Sequence, residues 1–308
     1  MTESRLSQTR AGGFAALGVG QPLADPAMEQ NAGAKPASQG FARRVLPLAL
    51  ATMAAGLATA LCAAEPTGLS YDAPAHAEEL KVLEDRTILM RRLWLETEWN
   101  QYEDGSHDVE ETLGGLWSWR VAAHQDWAVR LKMPYKWHVA GDDPGDSSEN
   151  GWGDLQLATG TAFRLGQSWR LGGGLELRTP TAQDDLGDDV WRLQEFGAVA
   201  WDATRWLTFS PSIEYNQSLA ELRDASPQHY LEMYFPATFL LPHDWSLSPR
   251  YELKLDFENA NYVTHSAKLQ VAKQLSNLPL GVALSVKRSF DSGEKDFQVN
   301  FILTYYFP

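Results

Sequence analysis

The sequence predicts an all-β protein, a transmembrane antiparallel β-barrel of about 12 strands that follows a cleaved signal peptide. Three observations predict this fold. Residues 41–64 place two arginines before an apolar run that ends in small residues, which is typical of a secretory signal. From residue 87 onward, apolar and polar side chains alternate with a period of two. The connections alternate between tight turns and longer acidic loops, as they do at the two ends of outer-membrane barrels.

Four regions divide the chain. Residues 1–40 lack periodicity and form a disordered extension or an over-long gene start, with Met28 as a later start. Residues 41–64 form the signal peptide, since the apolar run at 45–61 is shorter than the about 20 residues that a spanning helix needs. Cleavage there would remove Cys62, the only cysteine, and leave no thiol chemistry. Residues 65–85 form a periplasmic linker, and residues 86–308 form the barrel.

The alternation is clear in WAVRLKMPYKWH, residues 127–138. Its odd-numbered positions are all apolar or aromatic, whereas its even-numbered positions include Arg, Lys and His. About twelve such segments occur, and their lengths are near the 9–11 residues with which a tilted strand crosses a bilayer. The short connections centre on residues 124–126, 166–168, 202–204, 242–244 and 276–278.

A soluble all-β sandwich would also show alternation, with its apolar face in a core. The export signal, the alternating loop lengths and the aromatic residues at the ends of segments, such as Trp127 and Trp137, favour the barrel. The protein is therefore expected in the outer membrane of a Gram-negative bacterium.

The expected partners follow from that location. The barrel would contact outer-membrane lipid and lipopolysaccharide, and the barrel-assembly machinery would read its C-terminal strand, VNFILTYYFP. Pro308 follows the last aromatic residue, Phe307, which departs from the usual aromatic terminus. A small-molecule solute is the other expected partner. The formal net charge of −14 argues against a nucleic-acid binder.

Charged side chains on the polar faces of the strands are the candidates for lining the lumen. They are Arg130, Lys132, Lys136, His138, Arg170, Glu176, Arg178, Glu214, Arg250, Glu252 and Lys254. Basic residues outnumber acidic ones on these faces, so a lumen lined by them would favour anionic solutes. Alternatively, these charges pair across strands and fill the barrel, since the size of a 12-stranded barrel allows either outcome.

Three functions remain open at this stage. The first is a channel or transporter for passive or substrate-selective uptake of small molecules, whether aromatic, apolar or anionic. The second is a non-conducting structural barrel whose acidic loops bind a partner or lipopolysaccharide. The third, an outer-membrane lipid hydrolase, would need a serine and a histidine held together. The two adjacent pairs, Ser106-His107 and His265-Ser266, are poorly placed for this because neighbours on a strand point to opposite faces. No enzyme activity, cofactor or metal site is therefore predicted.

Short turn-forming motifs mark residues 150–216. The motif residues are Gly151, Gly153, Asp154, Thr179, Pro180 and Thr181. The glycines suit a turn with positive φ, Asp154 could accept hydrogen bonds from nearby backbone N–H groups, and Pro180 suits the end of a strand.

This stretch resembles the outer-membrane barrel family named after the meta-pathway of phenol degradation. Members of that family commonly have glycine where this chain has Ala182. The resemblance implies an outer-membrane protein that admits small aromatic or apolar compounds.

Overall fold

The structure is a computed structural model that describes residues 76–102, 106–139, 148–183, 186–223, 225–275, 277–291 and 297–307. The predicted extension, the signal peptide, Pro308 and the part of the predicted linker before residue 76 lie outside these ranges. No helix within the described ranges combines the length and the apolar character that crossing a bilayer requires.

One antiparallel sheet contains all the strands. A short helix, α1 (Ala77–Lys81), precedes β1 (Arg92–Gln101), β2 (His107–Ala122), β3 (Gln125–Val139), β4 (Glu149–Trp152), β5 (Gln156–Leu165), β6 (Trp169–Arg178), β7 (Val190–Thr204), β8 (Leu207–Phe209), β9 (Ser212–Glu221), β10 (His229–Leu241), β11 (Trp245–Asp256), β12 (Tyr262–Leu275), β13 (Leu280–Ser289) and β14 (Phe297–Tyr306). Consecutive strands pair with each other, except that β4 does not pair with β5 and β8 does not pair with β9.

Pairing between the first and last strands closes the sheet. β1 pairs with β14 from Arg92↔Tyr306 to Gln101↔Phe297. β4 and β5 both pair with β3, and β8 and β9 both lie between β7 and β10, so each couple is one interrupted strand. The described strands therefore form a closed barrel of twelve strands, which confirms the predicted fold class.

The polarity of the two sheet faces is inverted relative to a soluble protein. On β12, Leu269 is 49 % exposed and Val271 is 38 % exposed, whereas Gln270 between them is 1 % exposed. A soluble sandwich would bury the leucine and the valine and expose the glutamine. An apolar outside with a polar inside is the pattern of a barrel that spans a lipid bilayer. This inversion excludes the soluble alternative.

Aromatic residues collect on the outer face near the end of the barrel that carries the short turns. Trp169, Trp201 and Phe209 stack in series, with ring centroids 5.7 and 6.0 Å apart. Such belts lie at the boundary between lipid tails and water. The turn after β7 falls at Arg205 and Trp206, slightly later than predicted, so Asp202 belongs to the strand.

Residues 76–91, here called the plug segment, fold inside the barrel near the same end. Leu80 of α1 packs with inward side chains that come from strands all around the wall. They are Trp94, Leu116, Ala128, Leu240, Ala272, Ala283 and Ile302. This placement differs from the sequence prediction, in which residues 65–85 form a linker outside the barrel. Residues 76–85 of that range are instead packed within the lumen.

Charge placed on the outer face should destabilise the barrel. Leu269 lies midway along β12, so we expect Leu269→Arg to lower the free energy of unfolding in lipid vesicles by about 2–4 kcal/mol. Leu278, exposed in the turn after β12, is the control, and Leu278→Arg should cost about 1 kcal/mol or less. Urea titration in vesicles measures both, and equal small effects would contradict a lipid-facing β12.

Candidate functional site

The structure places all eleven predicted lumen residues on the inward faces of the strands. On β3, for example, Val129 and Leu131 are exposed on the outside, while Arg130 and Lys132 line an internal cavity. The cavity has a volume of about 420 Å³ and lies between the plug segment and the barrel wall. We call it the chamber. Of the eleven predicted residues, Arg130, Lys132, Arg250 and Glu252 line it.

The other seven predicted residues lie outside the chamber, and most have charged partners. Lys136 pairs with Glu110 at 3.7 Å, and His138 contacts Asp108 at 2.6 Å. Arg170 pairs with Asp85 and Asp202 at 2.8 and 2.5 Å, and Arg178 pairs with Asp188 at 3.1 Å. Glu176 pairs with Arg130 and Glu214 with Arg86, whereas the Lys254 ammonium lies 4.9 Å from the centre of the Tyr230 ring. Pairing between nearby strands and with the plug segment is thus the dominant arrangement.

The chamber is close to balanced in charge. Among the described residues, seven basic and five acidic side chains line it. We predicted a more basic lumen from the sequence, because Glu84 and Asp85 were assigned to the periplasmic linker. The plug segment carries both of these carboxylates into the barrel.

Among the described residues, five ion pairs join residues 81–86 of the plug segment to the wall. Glu84 lies 3.0 Å from Arg250 of β11 and 3.0 Å from Lys268 of β12. The other pairs join Asp85 to Arg170 at 2.8 Å, Lys81 to Asp202 at 2.8 Å, and Arg86 to Glu214. Since the partners lie on β6, β7, β9, β11 and β12, the segment is fixed from several sides of the barrel.

Glu84 is the most enclosed of these groups, with a fully buried side chain. Burial by itself would raise the pKa of the Glu84 carboxyl. The positive charges of Arg250 and then Lys268 outweigh burial and hold the pKa below its ordinary value of 4.5. Glu84 is therefore ionised at neutral pH, and its charge stabilises the docked plug segment.

Asp85 has the most contacts of the plug carboxylates. It accepts hydrogen bonds from the Thr87 backbone N–H at 2.9 Å and from the Thr87 hydroxyl at 2.6 Å. Arg170 Nη2 donates to its other oxygen at 2.8 Å, and Arg170 Nε donates to the Thr87 hydroxyl oxygen at 3.2 Å. A local turn and a strand of the wall thus share one carboxylate.

Sequence reasoning missed Glu84, Asp85, Arg86 and Asp202 as lumen residues. Asp202 stood in a predicted turn, yet it accepts hydrogen bonds from Lys81, Arg170 and Thr208. The signal in the plug segment was a dense run of charge interleaved with apolar residues in AEELKVLEDR, residues 77–86. A solvated linker has no need for buried apolar residues such as Leu80.

The family-motif residues meet at the end of the barrel opposite the short turns, where β4 gives way to β5. Asp154 is buried and accepts hydrogen bonds from the backbone N–H groups of Ala182 and Asp188, at 3.1 and 2.9 Å. Thr179 and Thr181 both bond to the backbone of Leu155. The motif therefore ties the β6–β7 loop to the interrupted strand, which is a structural role.

Positive φ is not the reason for the motif glycines. Within the described part of the chain, Gly166 is the glycine with a left-handed backbone, at φ 73°. At Gly151 an added Cβ would lie 2.5 Å from Gln183 Oε1 and 3.0 Å from Leu186, and at Gly153 it would lie 3.1 Å from Pro134. Close packing of the loop on the strand explains Gly151 and, less strongly, Gly153.

His265 and Ser266, the second candidate pair for a hydrolase, do not form a catalytic dyad. Ser266 faces inward and its hydroxyl donates to Glu252 at 3.0 Å, whereas His265 contacts the Tyr251 hydroxyl at 2.6 Å on the outward face. Their opposite orientations follow from strand geometry. No group of three or more His, Cys, Asp and Glu side chains in the described ranges could hold a metal ion.

Comparisons with known proteins identify the fold. No protein-family profile and no curated protein sequence matches the chain. An outer-membrane channel from Pseudomonas putida F1 is similar, with a TM-score of 0.61 and 13 % identity over 71 % of this chain and 94 % of that chain. The translocator domain of the autotransporter NalP from Neisseria meningitidis has a TM-score of 0.49 and 10 % identity over 75 % and 95 % of the two chains. The NanC porin has a TM-score of 0.48 and 12 % identity over 70 % of this chain and 99 % of that chain. The first of these structures shows that the chain has the fold of an outer-membrane barrel.

Removing the plug carboxylates should open the lumen. In the double variant Glu84→Gln with Asp85→Asn, the charges of Arg250, Lys268 and Arg170 lose their plug partners, and breaking buried ion pairs costs about 3–5 kcal/mol. We expect the segment to leave its site and single-channel conductance in planar bilayers to rise. Glu78→Gln is the matched control, because Glu78 is half exposed and lies 3.9 Å from an exposed arginine. Equal conductance in all three proteins would contradict this account of docking.

Low pH should also weaken docking of the plug segment and raise the conductance. Since the docked state lowers the pKa of Glu84, ionised Glu84 stabilises docking at and above pH 4.5, and that stabilisation is lost as the pH falls through the lowered value. We expect conductance to stay constant from about pH 8 to about pH 5 and to rise at lower pH. Glu84→Gln should show a smaller rise, and a rise already at neutral pH in the unaltered protein would contradict the assignment.

Proposed function

We propose that the protein is an outer-membrane channel for passive or substrate-selective uptake of small molecules. The observation that carries this proposal is the chamber: a space of about 420 Å³ inside a closed barrel, lined by charged groups and set behind an apolar outer wall. A structural barrel whose paired charges fill the lumen would leave no such space. Charged linings are the usual means by which barrels select solutes.

The plug segment gives this channel a narrow route. Eight-stranded barrels are filled by their own side chains, and barrels of 16 or more strands enclose wide pores. Twelve strands leave room that residues 76–91 fill in part, so the remaining space suits a small solute rather than a polymer. Of the eleven charged lumen residues named from the sequence, Arg130, Lys132, Arg250 and Glu252 are, in this proposal, the groups that a solute meets in the chamber, and the other seven lie outside it.

Membership of the meta-pathway family is part of the proposal. It is supported by the way Gly151, Asp154, Thr179 and Thr181 meet in one tied structure around the β6–β7 loop. That family's association with small aromatic or apolar compounds extends the candidate solutes beyond anions. Residues 1–40, 41–64 and 65–75 retain the roles proposed from the sequence: an extension, a signal peptide and the start of a linker.

Location and partners complete the proposal. The apolar belt and the aromatic residues suit outer-membrane lipid and lipopolysaccharide, and the aromatic C-terminal strand suits recognition by the barrel-assembly machinery. No enzymatic step is proposed for the chain.

Electrical recording separates the channel from a non-conducting barrel. We would insert residues 65–308 into planar bilayers and compare them with the Glu84→Gln, Asp85→Asn variant. Discrete openings of reproducible size in the unaltered protein, enlarged in the variant, are expected. A folded barrel without conductance in either protein would overturn the proposal and favour the structural role, in which the plug segment seals the lumen.

A further inference from the structure

We propose that the chamber binds a small organic anion with one carboxylate, held between Arg92 and Lys132 beside Arg130. This inference rests on the proposed channel function and names the class of solute that the site accepts. It concerns one side of the chamber, formed by β1 and β3.

Lys132 is a lining cation without an anionic partner. Its register neighbours are Gly114 on β2 and Gln156 on β5, neither of which carries a charge. By contrast, Lys136, which lies four residues further along β3 on the same face, is in register with Glu110 and pairs with it. No carboxylate of the described residues forms an ion pair with Lys132, although Lys132 lines the chamber.

Arg92 of β1 also has no anionic partner among the described residues. Its register neighbours are Tyr306 and Leu116, and its guanidinium donates to the backbone carbonyl of Val82 at 3.3 Å. The guanidinium also lies 5.4 Å from the centre of the Trp94 ring. These contacts hold the side chain in the lumen, yet none of them supplies a negative charge within the described part of the barrel.

Arg130 lies electrostatically close to both groups and keeps an unused donor. One of its terminal nitrogens pairs with Glu176, but its Nε is buried and has no acceptor. Arg130 is in register with Leu116, as Arg92 is from the other side of β2, and it lies two residues before Lys132 on the same face of β3. Buried donors and cations without partners are costly, so this side of the chamber is set up for an acceptor that carries negative charge.

The number of unpaired cations favours a single carboxylate. Arg92, Arg130 and Lys132 share this side with the carboxylates of Glu96 and Glu98 on β1 and of Glu176 on β6. Glu96 accepts from Asn300 at 2.5 Å, Glu98 accepts from Asn100 at 2.8 Å, and Glu176 pairs with Arg130. Among the described residues, Arg92 and Lys132 are thus the two cations on this side without an ion pair, and the two oxygens of one carboxylate suffice for both.

The opposite side of the chamber offers no comparable site. There Lys268 pairs with Glu84, and Lys287 pairs with Glu252 at 2.7 Å, with Arg250 bridging the two carboxylates. Arg86 pairs with Glu214 and also lies 5.6 Å from the ring centres of Phe196 and Tyr234. An anion on that side would compete with existing carboxylates.

The remainder of the ligand is expected to be organic and partly apolar. Val82, Ile88 and Leu89 of the plug segment line the same space. The volume lies within the range of about 300–1,000 Å³ that is typical of small-molecule sites. An inorganic ion would leave most of this volume and the apolar wall without contact.

Benzoate is a suitable probe, with benzyl alcohol as its neutral counterpart. We would measure binding by isothermal titration calorimetry to residues 65–308 in detergent, with Lys132→Gln as the test variant. Benzoate is expected to bind at least about tenfold more tightly than benzyl alcohol, because hydrogen bonds in which both donor and acceptor are charged are stronger than those to a neutral hydroxyl. Lys132→Gln should weaken benzoate binding by at least about tenfold, while Lys132→Arg should retain it.

Lys136→Gln is the matched control, because Lys136 lies on the same strand and face but is paired with Glu110. It should change the benzoate Kd by no more than about twofold, because the Lys136 ammonium already has Glu110 as its partner. Equal affinity for benzoate and benzyl alcohol, equal weakening by both glutamine variants, or no binding would overturn the inference.

Conductance recorded in parallel separates this failure from failure of the channel itself. A protein that conducts potassium chloride but does not bind benzoate retains the proposed function and loses only the anion site. A protein that conducts neither alone nor after removal of the plug carboxylates loses the channel function whatever its affinity for benzoate.

Discussion

The buried carboxylate of Glu84 is the group on which the interior of the barrel depends. A carboxylate removed from water is tolerated only where cations and donors replace its hydration. Arg250 and Lys268 do this from two neighbouring strands, both at 3.0 Å. Because that arrangement positions the plug segment, it also determines which wall residues remain free to line the chamber.

The same requirement explains the character of the wall. Inward cations that meet a carboxylate of the plug segment or of a nearby strand have their charge neutralised locally, as Arg170 has between Asp85 and Asp202. Where the plug segment provides no acid, on the side of β1 and β3, cations are left over. One pattern of ion pairs thus accounts for both the channel and its proposed anion site. The ion pairs hold the plug segment in part of the lumen, and the cations without ion pairs line the rest.

The sequence predicted the wall far better than the content of the lumen. Strand alternation is a local property, so the faces of β3 and β12 could be assigned from a few residues, and polarity then identified the barrel. The plug contacts are long-range: Asp85, Lys81 and Glu84 find partners 85, 121 and 166 residues further along the chain. No local pattern announces such pairs. Gly151 shows the same limit, since the Gln183 side chain that packs against it comes from a distant loop.

Hydrogen exchange of the plug segment tests the central claim most directly, because it asks whether residues 76–91 are docked inside the barrel in a lipid environment. The measurement is mass spectrometry of backbone amides in residues 65–308 embedded in lipid nanodiscs at neutral pH. The structure predicts that amides such as those of Leu80, Val82 and Asp85, which donate within the segment, are protected for as long as amides of the wall strands. Exchange of these amides at the rate of an unfolded peptide would contradict it.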